Sequence, residues 1–450
     1  MVRDNEGDPT PSFGEAARVW LRIGLISFGG PAGQIALMHR VLVDERKWLD
    51  ERTFLSALNF CMLLPGPEAM QLATYAGWRL HGLAGGLVAG LFFVLPGAAV
   101  VLVLSMLYAV FGSHPIGEAL FTGVKAAVLV IVVEALLRIA KRALKEQAHW
   151  VIAASAFVAI FFLHVPYPLI ILAAAAYGFV MLQVAVPPRS PPAAAANVLA
   201  TPASPAGGGV MVWTAAATAL VWLAIWWLPL AALMLALGTD HVLSQAGLFF
   251  SKLAIVTFGG AYAVLAYMAQ AVVEQYRWLS AGEMLDGLGL AETTPGPLIL
   301  VTEFVGFVAA YRQGGDSLAM GMAGAAVALW ATFVPCFMWI FTGAPFIERL
   351  NDMPRLKAAL AAVTAAVVGV ILNLSVWFGL RVLFGTFTPF SLGPVAVDVP
   401  VLSTLDPIAA GLAALAGLML LVWHKGIILT LAVSAGLALA LHVLFGGSGV

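Results

Sequence analysis

The chain has 450 residues, 62% of them hydrophobic and only 10% charged, with a mean hydropathy of +0.98. Soluble domains carry about 25% charged residues, so this composition excludes an ordinary soluble enzyme, a nucleic-acid binder and a disordered scaffold. A formal net charge of −1 offers nothing to a polyanionic partner, and the chain reads as an all-α polytopic protein of the lipid bilayer.

In chain order, residues 1–15 form a polar tail with no cleavable leader pattern. Ala16–Phe28 then runs into Gly29-Gly30-Pro31, with a second apolar piece to Met38, and Phe54–Leu64 runs into Pro65-Gly66-Pro67, followed by Ala69–Leu80. These pieces are shorter than the ~20 residues of a simple span. Leu83–Phe111, Glu118–Ala140 (carrying Lys125 and Glu134), Trp150–Val165 and Pro168–Val186 read as spanning helices. Residues 186–210, rich in Pro, Ala and Gly, read as an extended linker. Beyond it come the helix Met211–Leu237, Leu248–Phe258 ending at Gly259-Gly260, and Met284–Thr294 ending at Pro295-Gly296-Pro297. Leu318–Phe341, Ala358–Leu380, Pro407–Trp423 and Gly426–Leu444 complete a set of roughly ten to thirteen membrane segments.

The broken pieces recur. Adding 230 to the residue number aligns Trp20–Pro67 with the second half without a gap, and 13 of the 48 positions are identical. Phe28-Gly29-Gly30 falls on Phe258-Gly259-Gly260, Trp48-Leu49 on Trp278-Leu279, and one Pro-Gly-Pro on the other. Downstream, Val124-Lys125-Ala126-Ala127 resembles Leu356-Lys357-Ala358-Ala359, an offset of 232. The chain therefore reads as two units, 16–185 and 238–450, joined by the linker and an extra helix at 211–237. Arg40–Arg52 holds four basic residues and its counterpart 270–282 one, whereas Gly112–Val124 holds none and Thr342–Leu356 holds Arg349 and Arg355. Under the positive-inside rule equivalent loops lie on opposite sides, so the expected fold is a pair of inverted-topology repeats with discontinuous or re-entrant helices.

Inverted repeats with interrupted helices are the architecture of secondary transporters. Gly and Pro interrupt a helix because one is entropically costly to fix and the other lacks an N–H, and at membrane depth the freed backbone groups must face protein, water or a ligand. A helix restarting after a break aims its N-terminal N–H groups at it and attracts an anion. The candidate anion site is therefore Gly29, Gly30, Pro31, Gln34, Pro65, Gly66, Pro67 and Gln71 with Gly259, Gly260, Tyr262, Thr293, Thr294, Pro295, Gly296 and Pro297. Lys125 and Lys357 are intramembrane cations that either offset the anion's charge or snorkel to an interface, and Arg22 and Lys252 each sit six residues before a Phe-Gly-Gly. Glu68, Glu292 and Glu303 are candidates for carrying a coupled proton or neutralising a nearby cation. No metal site, catalytic triad, P-loop or CxxC pattern is present in the sequence, and Cys61 and Cys336 stand far apart. No enzyme activity and no cofactor are expected.

Ser27-Phe28-Gly29-Gly30-Pro31-Ala32-Gly33-Gln34, Met62–Ala69 and Gln71-Leu72-Ala73-Thr74-Tyr75 resemble the first half of the chromate transporter family, and Thr257–Tyr262 with Gly289–Leu298 resemble its second half. The resemblance covers both halves and implies a long, two-domain member: a multi-pass protein of the bacterial inner membrane that exports chromate and confers resistance to it. Chromate, sulfate or protons are then the implied partners, and a homodimer is left open. Sulfate import and a passive anion channel are the alternative readings. Met70 and Glu303 stand where relatives are expected to have Gln, and Gly97 follows Pro96 where Ser is usual.

Overall fold

The computed structural model describes residues 11–28, 30–112, 114–181, 208–257, 261–347, 353–393 and 395–445. The first repeat comprises α1 (Phe13–Ile26), α2 (Gly30–His39), α3 (Glu51–Leu63), α4 (Glu68–Phe111), α5 (Pro115–Ala143), α6 (Gln147–Phe161) and α7 (Tyr167–Met181). After α8 (Gly208–Leu237) come α9 (Val242–Val256), α10 (Ala261–Gln270), α11 (Ala281–Thr293), α12 (Val301–Gln313), α13 (Leu318–Gly343), α14 (Pro354–Leu383), α15 (Pro407–Gly417) and α16 (Ile427–Phe445). Six of the described helices are long and apolar enough to cross a membrane, and four more are shorter and apolar.

The short helices form re-entrant hairpins. Glu15, at the start of α1, lies 2.7 Å from Arg46, just past α2. His81, at the kink of α4, lies 2.8 Å from the Pro11 carbonyl and edge-on to Phe13. The starts of α1 and α3, the end of α2 and the kink of α4 therefore share one end of the bundle, here the near end. Both α1–α2 and α3 with residues 68–80 enter from that end, break and return. The kink is explicit: His81 and Gly82 leave helical backbone, Gly82 with φ +62°. Residues 83–111 then run roughly 43 Å at 1.5 Å per residue, enough to cross a ~30 Å hydrocarbon core. Their far end carries Tyr108, whose hydroxyl donates to Asp286 of α11 at 2.8 Å. There Arg312, closing α12, pairs with Glu283, opening α11, so the second repeat's hairpins enter from the far end. Each repeat is the other turned over, as the loop charges required.

Local sequence explains the helix starts. Ser12 caps α1, Asp50 caps α3 by accepting from the Thr53 N–H at 2.9 Å, and Ser280 with Glu283 forms a reciprocal capping box on α11. The 230-residue offset holds through the hairpins and then widens to 239: Pro96 answers Pro335, and the first residues of α5 and α14 are Pro115 and Pro354. This corrects the sequence match of Lys125 with Lys357. In the folded register Lys125 answers Thr364, and Ala126-Ala127 answers Ala365-Ala366, all four alanines fully buried. The lysine match was a coincidence of two Lys-Ala-Ala triplets.

The repeats are interlaced. α5 packs on α15 and α16 of the second repeat, and α14 packs on α6 and α7 of the first. Small residues permit the approach: a Cβ on Gly123 would lie 2.2 Å from the Ser434 carbonyl oxygen, and one on Gly178 would lie 2.5 Å from that of Ala358. A two-stranded antiparallel hairpin, β1 (Phe387–Leu392) and β2 (Val395–Pro400), follows α14 at the far end. It has no counterpart in the first repeat, where only three residues separate α5 from α6.

Gly178→Val is expected to lower stability by ~1–3 kcal/mol through overpacking, read as a lower melting temperature in detergent. Asp50→Ala should cost ~1 kcal/mol at neutral pH. The Thr53 hydroxyl and N–H hold the Asp50 carboxyl below its ordinary pKa. The cap's contribution is thus present above the ordinary carboxylate range and lost as pH falls through the lowered value. Melting curves of variant and wild type should converge in acid.

Candidate functional site

The four breaks meet in the middle of the bundle through the backbone. The Gly66 N–H donates to the Thr257 carbonyl at 2.9 Å. Reciprocally, the Gly296 N–H donates to Ser27, 3.0 Å from both its carbonyl oxygen and its hydroxyl. Ser27 and Thr257 are 230 residues apart, as are the two glycines, so the contacts are pseudo-symmetric. Each Pro-Gly-Pro turn also rests on the long, proline-containing helix of the opposite repeat, α13 or α4. A Cβ on Gly66 would lie 2.9 Å from the Cys336 thiol, and one on Gly97 would lie 2.1 Å from the Pro295 carbonyl oxygen. Gly97 and Cys336 follow Pro96 and Pro335. Gly66 and Gly296, with φ of +122° and +95°, adopt backbone that favours glycine.

Buried amides complete the joint. Gln34 donates to the Gly296 carbonyl at 2.5 Å and the Ser27 carbonyl at 3.2 Å, while Gln71 donates to the Pro65 carbonyl at 2.7 Å. The Oε1 atoms of both glutamines are buried without a hydrogen-bond donor in this structure. Glu292 accepts from the Tyr262 hydroxyl at 2.7 Å. Glu303 is fully buried in the first turn of α12, its Oε2 unpartnered, and Thr302 beside it lies 3.4 Å from Thr332. Glu68 is half-buried in the first turn of α4, where the helix dipole favours a carboxylate. The Thr293 and Thr294 hydroxyls bond carbonyls of their own helix, and half-buried Pro31 and left-handed Gly30 open α2.

The structure thus brings Gln34, Pro65, Gly66, Gln71, Pro295 and Gly296 into one joint, flanked by Pro67 and Pro297. It does not bring the lysines there. Lys125 pairs with Asp286 at 3.5 Å, toward the far end, and Lys357 is exposed in the first turn of α14 at the near end. Arg22 and Lys252 are likewise exposed, Lys252 lying 5.7 Å from the Tyr267 ring centroid. Gly29, Gly259 and Gly260 lie outside the described residues. Among the described ion pairs and hydrogen bonds, none places a Lys or Arg on the Pro-Gly-Pro turns, so the positive potential available to an anion is that of the helix N-termini. Ser27, Thr257, Gly97 and Cys336 were not among the expected site residues. For the first two the 230-residue repeat was the available signal, since Ser27 and Thr257 are matched small hydroxyl residues one position before the matched Phe-Gly-Gly.

Residues 14–179 and 244–440 match the family model described as "Chromate transporter", and the chain belongs to this family. It is 34% identical over 371 residues to a chromate transport protein of Pseudomonas aeruginosa, covering 81% of this chain and 80% of that one. It is 29% identical over 418 residues to a chromate transport protein of Cupriavidus metallidurans, covering 91% of this chain and 94% of the relative. A probable chromate transport protein of Synechococcus elongatus is 27% identical over 425 residues, 93% of this chain and 97% of that one. No solved structure matches.

Gln34→Leu strands the buried Gly296 carbonyl and should cost ~1–3 kcal/mol, whereas Ser27→Ala leaves the Gly296 N–H its carbonyl partner and should cost less, ~1 kcal/mol. Thermal melting of the two variants in detergent checks this order.

Proposed function

We propose that the protein is a secondary transporter that exports chromate across a bacterial inner membrane by alternating access, and so confers chromate resistance. One observation carries the reading: two inverted pairs of broken hairpins meet through their breaks, which are followed by the N-termini of α2, α4 and α10, at residues 30, 68 and 261, and by the 3-10 turn 298–300 that leads into α12. The first N–H groups of a helix lack acceptors within it, and four such ends suit a tetrahedral oxydianion. Family membership and the names of the relatives supply chromate; the geometry supports an oxyanion.

In this reading the joint binds by exchange. Gln34 and Gln71 now hold backbone carbonyls, and their amide N–H groups turn to the oxyanion as the Pro-Gly-Pro turns part. The near end collects Arg40, Arg46, Lys47, Arg52, Arg79, Lys141, Arg142, Lys145, Arg355 and Lys357, against Lys125, Arg277, Arg312 and Arg381 at the far end, so the near end faces the cytoplasm by the positive-inside rule. With the inside negative, each charge is worth ~2.3 kcal/mol per 100 mV, and a dianion leaving alone gains roughly twice that. At ~1.4 kcal/mol per tenfold this is about three decades of concentration per 100 mV. Export thus needs no coupled ion, and Glu68, Glu292 and Glu303 are the groups placed to couple a proton if one moves.

Everted membrane vesicles containing the protein should take up labelled chromate saturably. Inhibition by excess sulfate would identify a competing substrate, and sensitivity to a protonophore would identify coupling. Saturable sulfate uptake without chromate uptake would replace the substrate, and flux without saturation or counterflow would make the protein a channel. Gln71→Ala should raise the chromate KM about tenfold, the loss of ~1.4 kcal/mol that one hydrogen bond to a charged group supplies.

A further inference from the structure

The joint is pseudo-symmetric, but the two ends of the molecule are not, and one cluster around the buried Asp286 distinguishes them. At the far end, α4, α5, α11 and α12 enclose a cavity of ≈ 260 Å³ lined by Tyr108, Glu118, Lys125, Glu283, Asp286 and Arg312, among others. Asp286 is buried in its wall, 3% exposed. Its Oδ2 accepts from the Tyr108 hydroxyl at 2.8 Å and lies 3.5 Å from the Lys125 ammonium, while its Oδ1 is buried with no partner. Lys125 reaches across from α5 against the start of α11, where Gly282 leaves it room: a Cβ there would lie 3.3 Å from Nζ. Arg312 is already neutralised by Glu283, and Glu118 is the remaining charged group on the cavity wall.

The positions equivalent to Lys125 and Asp286 carry no charge at the near end. Asp286 answers Ser56, and Lys125 answers Thr364. The Lys125–Asp286 pair is thus built into one end of an otherwise matched molecule, on the side where an exported anion would leave.

We propose that Lys125 is the exit-side oxyanion contact and that Asp286 is the counter-ion which replaces the departing oxyanion on it, allowing the empty carrier to close its far end. The inference rests on the oxyanion-transport reading. The Lys125 side chain is 29% exposed here, and closing α5 further against α11 would bury it; a cation buried without a partner is strongly destabilising. When the oxyanion occupies the cavity it neutralises Lys125, and Asp286 is held by Tyr108 alone. When the oxyanion has gone, α5 can close against α11 only if a resident carboxylate takes its place. Asp286 is then dispensable for movements of the loaded carrier and required for return of the empty one. No bond is made or broken.

The test is labelled chromate flux in proteoliposomes, measured both as net flux and as chromate–chromate exchange. In Asp286→Asn, net flux is expected to fall by about tenfold or more relative to exchange, the effect of ~1.4 kcal/mol in the closing step. Lys125→Gln should raise the chromate KM in both modes. The double variant, which removes both charges, should recover the ratio of net flux to exchange while keeping the raised KM. Monodispersity and melting temperature establish that each variant is folded; if Asp286→Asn is not, the double variant carries the test. Equal slowing of both modes in Asp286→Asn, or a double variant no better than the single, would overturn the proposal. Absence of chromate exchange in the wild type would instead overturn the transport reading beneath it.

Discussion

The architecture depends on how backbone groups freed inside a membrane find partners. Hydrocarbon offers none, and an unsatisfied N–H or C=O there costs several kcal/mol. Here each repeat resolves the other's difficulty: the Pro-Gly-Pro turn of one lends its glycine N–H to the carbonyl exposed by the break in the other, once through Gly66 and Thr257 and once through Gly296 and Ser27. The arrangement needs two oppositely oriented copies, because a single broken hairpin has nothing at mid-depth to bond. Inversion is thus a condition of burying the breaks. In the proposed function the same condition makes the joint a place for a ligand, since its hydrogen bonds are made between the two halves.

Around that joint the matched positions have diverged. Gln34 answers Val264, and Gln71 answers Val301, so at these positions the first repeat supplies polar groups that the second lacks. Gln34 stitches the two repeats together by bonding Ser27 and Gly296 at once, whereas Gln71 braces its own turn at Pro65. In the proposed function, the joint's stability and its affinity for an anion draw on the same amides.

Much of this was legible in the sequence and some was not. The hairpins were visible as apolar pieces too short to span, and their inversion was visible as basic residues changing sides, because both signals are set locally by burial and by lipid. The lysine pair misled: Lys125 and Lys357 share a triplet, but nine residues added after the hairpins shift the register, and side chains on unrelated turns of a helix face different surroundings. Asp286 was passed over because a lone carboxylate in α11 has no sequence partner; Lys125 and Tyr108 come to it only through tertiary packing. The hairpin Phe387–Pro400 was hidden by its interrupting prolines, which read as loop. The exchange of α5 and α14 between the repeats left no local trace, since a helix buried against a foreign neighbour looks like one buried against its own.

That exchange bears on how the protein is made. α5 emerges from the ribosome and enters the membrane long before α15 and α16, the helices that cover it, have been synthesised. At ~10 residues per second the interval is tens of seconds. Throughout it the closely packed faces around Gly123 and Ala126-Ala127 meet lipid or insertion machinery in place of their eventual neighbours. Biogenesis therefore passes through a stage in which half of the molecule is threaded but cannot lock, and the later-made α15 and α16 are the ones that fasten the earlier α5.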